Sequence, residues 1–588
     1  MPATGGCGRA PSLATGRVQL ENVCRGVVAV RKGSDTFVSW RMFGYEPESV
    51  AYNVYRDGVK LNATPITDST NYLALGATSG SYTVRAVLEG VEQADSEAVT
   101  VWEQPYLEVP LQAPSGYTPG DASTGDLDGD GHYDLVVKWE NSPQDNANDG
   151  TTGTVKLEGV KLDGTRLWLV DLGRNIREGA HYTQFLVYDL DGDGRSEMVV
   201  KTAPGTVDGQ GKQVILGSDD PDADYRNSEG RILSGPEYLT VFDGKTGAEL
   251  ETVPFEIARG DVGSWGDDYG NRVDRFVGAV AFVAADGRPS ALMGRGYYTR
   301  STITAWNWQS GTLSKLWTSD SNAQTNYTGQ GSHGISIADV DGDGRQDVIY
   351  GASMIKSDGT RGCSTNLGHG DALHVSDLVV ERPGLEVFLP HESGSSRTYS
   401  LRDARTCEII VQGPANGGSE GPGRGVAADI TPDHAGAEIW TNSSTLLDEQ
   451  GANLGSRPPS TNFLLWWDGD ESRELLDGNH VDKYMPGQNQ RLLTADGCSS
   501  INGTKSTPNL SADLLGDWRE EVLLRCGTNL RLYTTTAVTE RRIYTLMHDP
   551  QYRSAVSWQQ SAYNQPPHPS FHIGAGMAAP PKPDITVR

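Results

Sequence analysis

The sequence predicts an all-β fold built from repeated four-stranded units, and three observations carry that expectation. The first is an acidic loop that occurs three times: Asp126-Leu-Asp128-Gly-Asp130-Gly-His132-Tyr-Asp134, Asp189-Leu-Asp191-Gly-Asp193-Gly-Arg195-Ser-Glu197 and Asp339-Val-Asp341-Gly-Asp343-Gly-Arg345-Gln-Asp347. Each copy runs straight into an apolar strand: Leu-Val-Val-Lys-Trp, Met-Val-Val-Lys-Thr and Val-Ile-Tyr-Gly. The second is a recurring hairpin, as in Val160-Lys-Leu-Asp-Gly-Thr-Arg-Leu-Trp168 and Leu239-Thr-Val-Phe-Asp-Gly-Lys-Thr-Gly-Ala-Glu-Leu250. The third is composition: 71 Gly and 30 Pro in 588 residues suit many short strands joined by turns.

Taken in chain order, residues 24–104 come first. Phe37-Val-Ser-Trp40, Tyr52-Asn-Val-Tyr55, Tyr82-Thr-Val-Arg-Ala-Val87 and Ala98-Val-Thr-Val-Trp102 read as short strands. Arg56-Asp57-Gly58-Val59 reads as a hairpin turn. The length and pattern resemble a fibronectin type III-like β-sandwich. It carries no titratable cluster and reads as a structural module.

From residue 105 to about 575 the acidic-loop strand and the hairpin alternate. Weaker copies of the loop follow at Asp377–Glu386, Asp429–Glu438 and Asp513–Glu521, and Val280–Gly287 holds a similar place without the acids. Further hairpins are read at Ile303–Leu313 and Leu464–Asp470. One loop strand plus one hairpin makes a four-stranded blade, and such units in series make a β-propeller. Eight blades are expected, with seven as the alternative. The spacing is irregular, so long insertions are expected to gather on one face and build a cleft.

The acidic loops place side-chain oxygens at positions 1, 3, 5 and 9, with glycines for the tight wrap. A hard cation with six to eight oxygen ligands needs such a set, so the expected ion is Ca2+. The predicted ligands are Asp126, Asp128, Asp130, His132 and Asp134; Asp189, Asp191, Asp193, Arg195 and Glu197; and Asp339, Asp341, Asp343, Arg345 and Asp347. The resemblance to an EF-hand ends at the loop, since strands rather than helices flank it.

Bulk properties exclude several classes. A net charge of 49 − 77 = −28 argues against a nucleic-acid partner. No stretch is apolar enough to span a membrane. Cys7, Cys24, Cys363, Cys407, Cys498 and Cys526 show no zinc spacing; with the calcium loops they favour an oxidising exterior. Chain order suggests the pairs Cys7–Cys24, Cys363–Cys407 and Cys498–Cys526. No leader is visible at the start, so secretion is an inference from the calcium and the cysteines.

The insertions hold the unusual residues. They include Leu172-Gly-Arg174-Asn-Ile-Arg177-Glu-Gly-Ala-His181, Trp265-Gly-Asp-Asp-Tyr-Gly-Asn-Arg272, Gly294-Arg295-Gly-Tyr-Tyr298, Gly331-Ser-His333-Gly and Gly368-His369-Gly-Asp371-Ala-Leu-His374. Further on come Gly423-Arg424-Gly, Asn502-Gly503-Thr504-Lys505, His548-Asp549-Pro-Gln-Tyr552-Arg553 and Tyr563-Asn-Gln-Pro-Pro-His568. In this order, with the acidic loops between them, the set closely resembles the rhamnogalacturonan lyases of polysaccharide lyase family 11.

The resemblance implies an eight-bladed propeller with structural calcium ions. It also implies cleavage of the rhamnogalacturonan I backbone of pectin by β-elimination. His333 and His369, with Asp371 beside them, are implied at a calcium site in the cleft. Arg424 and Lys505 are implied at the reacting uronate, and Asn502, Gly503, Thr504 and Tyr563 at rhamnose. Asn141, Asp163, Arg174 and Arg177 are further candidates for substrate contact. Endo action and a monomer are expected.

The chemistry suits these residue types. The C5 proton of a uronate is poorly acidic while its carboxylate is anionic, so a cation must neutralise that carboxylate and a base must reach C5. Lys505 serves as base if neighbouring positive charge lowers its pKa, with His333, His369 and His374 as alternatives. Arg424 is a clamp rather than a base. Tyr563 or water would protonate the leaving oxygen. Trp265, Tyr297, Tyr298 and Tyr552 are candidates for stacking on sugar faces. Two rival readings remain: a non-catalytic calcium-stabilised glycan-binding propeller, and a glycoside hydrolase using Asp371 and Glu392.

Overall fold

The computed structural model describes residues 16–323 and 325–588. Among these, eight four-stranded antiparallel sheets follow one another. The first is Thr118–Gly125, Asp134–Glu140, Lys156–Val160 and Arg166–Asp171; the seventh is Phe463–Leu465, Glu474–Asp477, His480–Lys483 and Gln490–Thr494. The eighth is composite. Leu510–Ala512, Glu521–Cys526 and Asn529–Tyr533 are completed by Tyr106–Val109, so an early strand closes the ring on late ones. The chain is therefore an eight-bladed propeller.

The alternation of strands sorts the loops. Connections from first to second strand, and from third to fourth, lie at one end of each blade. Connections from second to third strand, and between blades, lie at the other. The acidic loops occupy the first end. The segments bearing His333, His369, Arg424 and Lys505 each precede a first strand, so they gather at the second end.

One short device recurs at the acidic end. In seven blades the first residue of the second strand is a buried carboxylate that accepts a backbone N–H from the loop. The pairs are Leu127 to Asp134, Leu190 to Glu197, Val340 to Asp347, Leu378 to Glu386, Ile430 to Glu438, Trp467 to Glu474 and Leu515 to Glu521, at 2.7–3.4 Å. The third blade has Ser290 at this place, matching the acid-free copy read in the sequence. Leu464–Asp470 is not a hairpin: Phe463–Leu465 is a first strand, and the acids after it form another loop of this series.

The N-terminal module forms eight strands between Val28 and Trp102. Asp57 and Gly58 both take positive φ, 50° and 78°, which gives the tight hairpin between Ala51–Arg56 and Val59–Lys60. Trp40, Met42 and Phe43 pack with Tyr133, Leu514 and Trp518, so the module sits on the acidic-loop end, away from the cleft.

The ring's axis is filled by the chain itself. The helix Pro550–Trp558, capped by Asp549, is buried from Gln551 to Trp558 and touches the first strands of the first four blades. Residues after it turn at Tyr563 and return, so that Ser570 reaches Asp549 again. Arg553 on this helix makes a bidentate pair with Glu21, at 2.6 and 2.8 Å, with both residues buried. Strand Val18–Leu20 pairs in parallel with Ile585–Val587. Cys363–Cys407 and Cys498–Cys526 are disulfide-bonded, as read from chain order; the Cys7–Cys24 pair lies outside the described residues.

Candidate active site

At the end opposite the acidic loops, the segments before the fourth and fifth blades lie side by side. Ser332 and Gly370 form a parallel bridge, and His333 N–H donates to Gly370 O. This brings His333, His369, Asp371 and Glu392 together, with one ligand atom from each within 4.8 Å of the others. His333 Nε2 is 3.2 Å from Asp371 Oδ1, and His369 Nε2 is 3.2 Å from Glu392 Oε2.

The tautomer of His369 is fixed by its backbone partner. Its Nδ1 lies 2.7 Å from Gly331 O, so that nitrogen carries the proton. The Nε2 lone pair then faces two carboxylates, an arrangement that needs a proton or a metal between them. Both His369 Nε2 and Asp371 Oδ1 are buried without a hydrogen-bond partner. Burial opposes charging His369, but Asp371 and Glu392 raise its pKa overall. Burial also works against the Asp371 carboxylate, yet the two imidazoles and Lys505 hold it well below the usual range. A divalent cation fits this donor set. Its two imidazoles make it softer than the all-oxygen loops.

Beside this cluster lies a small pocket lined by Asp371, Arg424, Asn462, Lys505, Thr507 and Tyr563. Arg424 donates to Asn462 Oδ1 at 3.1 Å, to Thr504 O at 3.0 Å and to Thr504 Oγ1 at 3.2 Å. Lys505 ends the short turn Gly503–Lys505, which is bracketed by Asn502 and Ser506 in left-handed conformation. Its Nζ stands 4.0 Å from the Tyr563 ring centroid. Burial and then the Arg424 charge lower the Lys505 pKa. Among the described residues, no carboxylate pairs directly with either cation. The pocket therefore offers two positive groups to an incoming anion.

A match to the family model "Rhamnogalacturonan lyase family 11, C-terminal domain" covers residues 106–583. The chain belongs to this lyase family. Residues 18–102 match the model "Rhamnogalacturonan I lyases beta-sheet domain". The chain is 54% identical to the rhamnogalacturonan endolyase YesW of Bacillus subtilis (strain 168), over 96% of this chain and 93% of that protein. It is 48% identical to the rhamnogalacturonan exolyase YesX of the same organism, over 97% and 98%. The solved rhamnogalacturonan lyase PL11 of Bacillus licheniformis superposes with a TM-score of 0.94 at 54% identity, covering 97% of this chain and 100% of that one.

Within this lyase the other residues singled out in the sequence fall into distinct places. Asn502 Nδ2 donates to Thr507 Oγ1 and Asn564 Oδ1, both at 2.9 Å, and so ties the Lys505 turn to the Tyr563 segment. Arg177 reaches Asn148 O and Gly150 O, holding a neighbouring insertion. Asn141 receives Ser142 Oγ, and its own N–H donates to Glu178. Asp224 feels the positive charge of Arg174, which places Arg174 beside a different insertion, the one between the second and third strands of the second blade. Asp163 lies in the turn joining third and fourth strands of the first blade, where Oδ1 accepts Thr165 N–H. That turn is at the acidic-loop end, so the structure does not bring Asp163 to the cleft.

Three aromatic candidates are also corrected. Trp265, Tyr297 and Tyr552 are fully buried, and Tyr552 OH donates to Glu520 at 2.6 Å. They pack the scaffold and leave no face for a sugar; Tyr298 alone of the four is partly open. His374 is excluded as a base by its partners, His568 Nε2 at 3.0 Å and Gly425 O at 2.9 Å.

Three further groups stand at this site: Asp145, which the sequence analysis did not single out, and Glu392 and Tyr298, which it read as a hydrolase carboxylate and a stacking ring. Glu392 completes the His333–His369–Asp371 cluster. Asp145 lies 3.8 Å from His181 Nε2 and 3.6 Å from Arg275. Tyr298 OH is 3.0 Å from His333 Nε2. Asp145 has no local motif of its own and sits in the polar stretch that follows Asn141.

In the acidic loops, positions 1, 3 and 9 converge: Asp126, Asp128 and Asp134; Asp189, Asp191 and Glu197; Asp339, Asp341 and Asp347. Asp128 Oδ1 and Asp134 Oδ1 are buried without partners, which fits a cation. The position-5 acids depart from expectation. Asp130 is taken by Lys161 at 2.7 Å, Asp193 by Arg195 at 2.7 Å and Asp343 by Arg345 at 2.6 Å. The side chains of Arg195 and Arg345 thus bind acids, leaving only their backbone carbonyls, like that of His132, as possible ligands.

Proposed function

We propose that this lyase cleaves the rhamnogalacturonan I backbone of pectin by β-elimination at galacturonate, in endo fashion, with Ca2+ held in the cleft and in the three acidic loops. The observation that carries the reading is the nearness of Arg424 and Lys505, both without a carboxylate partner among the described residues, beside the His333–His369–Asp371–Glu392 cluster. A uronate carboxylate supplies the anion that Arg424 lacks and brings C5 towards Lys505. The 54% identity to an endolyase supports the mode of cutting.

Arg424 arrives pre-oriented, because Thr504 and Asn462 hold two of its nitrogens. Its remaining donors bind the uronate. When bound by His333, His369, Asp371 and Glu392, calcium supplies positive charge that offsets the uronate carboxylate and makes C5 more acidic. Lys505, with its pKa lowered by burial and by Arg424, holds a neutral amine more readily than an exposed lysine and accepts the C5 proton. Tyr563 keeps its phenol protonated because burial raises its pKa, so it can give a proton to the departing glycosidic oxygen. Asn502, Gly503 and Thr504 are neutral and form the turn into Lys505, with Asn502 bonded to Thr507 and Asn564 and Thr504 to Arg424 of that pocket, which suits an uncharged deoxy sugar on the other side of the bond.

The net charge of −28 does not prevent a polyanion from entering. Over a screening length of roughly 8 Å the local cations dominate. The disulfides support an extracellular location, and no helix among the described residues is long and apolar enough to cross a membrane. The test is incubation with rhamnogalacturonan I, following ultraviolet absorbance from the unsaturated uronate. Rapid loss of polymer length before small products accumulate marks endo action. Reducing ends released without absorbance would instead mean hydrolysis.

A further inference from the structure

The loop that opens the seventh blade departs from the other acidic loops. Its position 9 is Glu474, so positions 3 and 5 are Asp468 and Asp470, and position 1 is Trp466 rather than an acid. The three carboxylates still converge, with one oxygen from each within 4.8 Å of the others. Lys483, at the end of the third strand of this blade, sends its Nζ among them. It lies 2.7 Å from Asp468 Oδ2, 2.8 Å from Asp470 Oδ2 and 3.1 Å from Glu474 Oε1. An ammonium has three N–H donors, and here each finds a different carboxylate.

The first blade supplies an internal control. Lys161 follows its third strand at the equivalent place and reaches Asp128 at 2.6 Å and Asp130 at 2.7 Å. There Asp128 Oδ1 and Asp134 Oδ1 stay buried without partners. In the first loop the lysine makes no hydrogen bond to the position-9 carboxylate Asp134, whereas in the seventh the Lys483 ammonium reaches all three converging carboxylates.

We propose that the Lys483 ammonium is the resident cation of this loop, so that the loop takes up no calcium, and that removing the ammonium converts it into a calcium site. This rests on the calcium reading of the three Asp-rich loops. Its reach into function comes from position. The seventh blade stands between the sixth, which begins just after Arg424, and the turn that carries Lys505. The blade separating the two substrate-facing cations is thus clamped by a covalently attached charge, which dilution or a chelator cannot withdraw.

The experiment counts bound calcium by equilibrium dialysis of the full chain, as wild type, Lys483→Met and Asp468→Asn. Methionine keeps the length of the stem and drops the charge. Lys483→Met is expected to bind one more ion than wild type and to show a larger fall in Tm with chelator. Asp468→Asn is expected to bind the same number as wild type. One ion fewer in Asp468→Asn, or an unchanged count in folded Lys483→Met, overturns the proposal. If Lys483→Met does not fold, the Asp468→Asn count decides together with hydrogen exchange of wild type. Strand Glu474–Asp477 is expected to keep its protection in chelator while Glu197–Thr202 loses it; equal loss overturns the proposal. Wild type that binds no calcium would show that the loop reading itself has failed, and the proposal would fall with it.

Discussion

Lys505 Nζ stands 4.0 Å above the Tyr563 ring, and that ring lies parallel to His333 at a centroid distance of 4.7 Å. One short stack thereby joins the proposed base, the proposed acid and the cation cluster. A change in Lys505 has no blade packing to disturb. We expect Lys505→Ala to lower kcat by about 10²–10⁴ with Tm nearly unchanged. Asp191→Ala should do the opposite, lowering Tm while the folded fraction keeps most of its turnover. Rates and melting curves for both variants check this; a stable, inactive Asp191→Ala would reverse the two roles.

Chelation should lower activity and thermal stability together. The acidic loops gather carboxylates that a metal must offset, and binding to the folded chain alone stabilises it by mass action. Readdition of calcium should restore both. Melting and rate that ignore a chelator would leave the loops as turns only.

Metal-free protein should lose stability as pH rises. Burial pushes the carboxyls of Asp134, Glu197 and Asp347 up to about 8, 9 and 7. Groups with a folded pKa above the unfolded one stabilise fully below about pH 4 and lose that contribution as pH passes through the folded values. In chelator, the Tm should therefore fall between about pH 4 and 9, from the unfolded carboxyl pKa to these raised folded values. With calcium bound the same carboxylates are held ionised, and the fall should flatten. Melting curves at several pH values, with and without calcium, read this directly.

Rhamnogalacturonan I should be cleaved much faster than polygalacturonate at equal uronate content. Asn502, Gly503 and Thr504 bring no charge to the pocket, while a homogalacturonan chain would place a second carboxylate there and pay for its desolvation without a paired cation. Equal initial rates would move the rhamnose contact elsewhere.

Arg553→Met should cost about 3–5 kcal/mol, because it leaves the buried Glu21 carboxylate without its partner. A double variant that also carries Glu21→Gln should recover part of the loss. Denaturant melts of the single and double variants measure the coupling.

The repeated loops and hairpins made the propeller legible, because each blade announces itself by the same turn chemistry. Leu464–Asp470 was misread for the same reason: two tryptophans and a single Asp-Gly resemble a hairpin until Glu474 is seen to start a strand. The cleft was legible where glycines flank a polar or charged residue, as at His333, His369 and Arg424, and at Lys505 in its Asn-Gly-Thr-Lys turn. It was not legible at Asp145, and Glu392 was legible only as a hydrolase carboxylate; both reach the site because separate blades bring their loops to one end. Trp265, Tyr297 and Tyr552 show the converse. An aromatic residue in an insertion carries no local mark of which side it buries, and these three face inward.

The order in which the blades are made has a consequence for biosynthesis. Tyr106–Val109 is synthesised early, yet its partner Asn529–Tyr533 comes more than four hundred residues later, and the axial helix and the terminal strand follow that. On the ribosome or at a translocation pore, a growing chain can form single blades but cannot shut the ring or fill its axis. The side chains Arg424, Lys505 and Tyr563, which line one pocket, thus come into register only after the eighth blade and the axial helix have emerged. A nascent chain stalled before residue 529 lacks the strand that joins Tyr106–Val109 to Glu521–Cys526, so two strand edges wait unpaired for it.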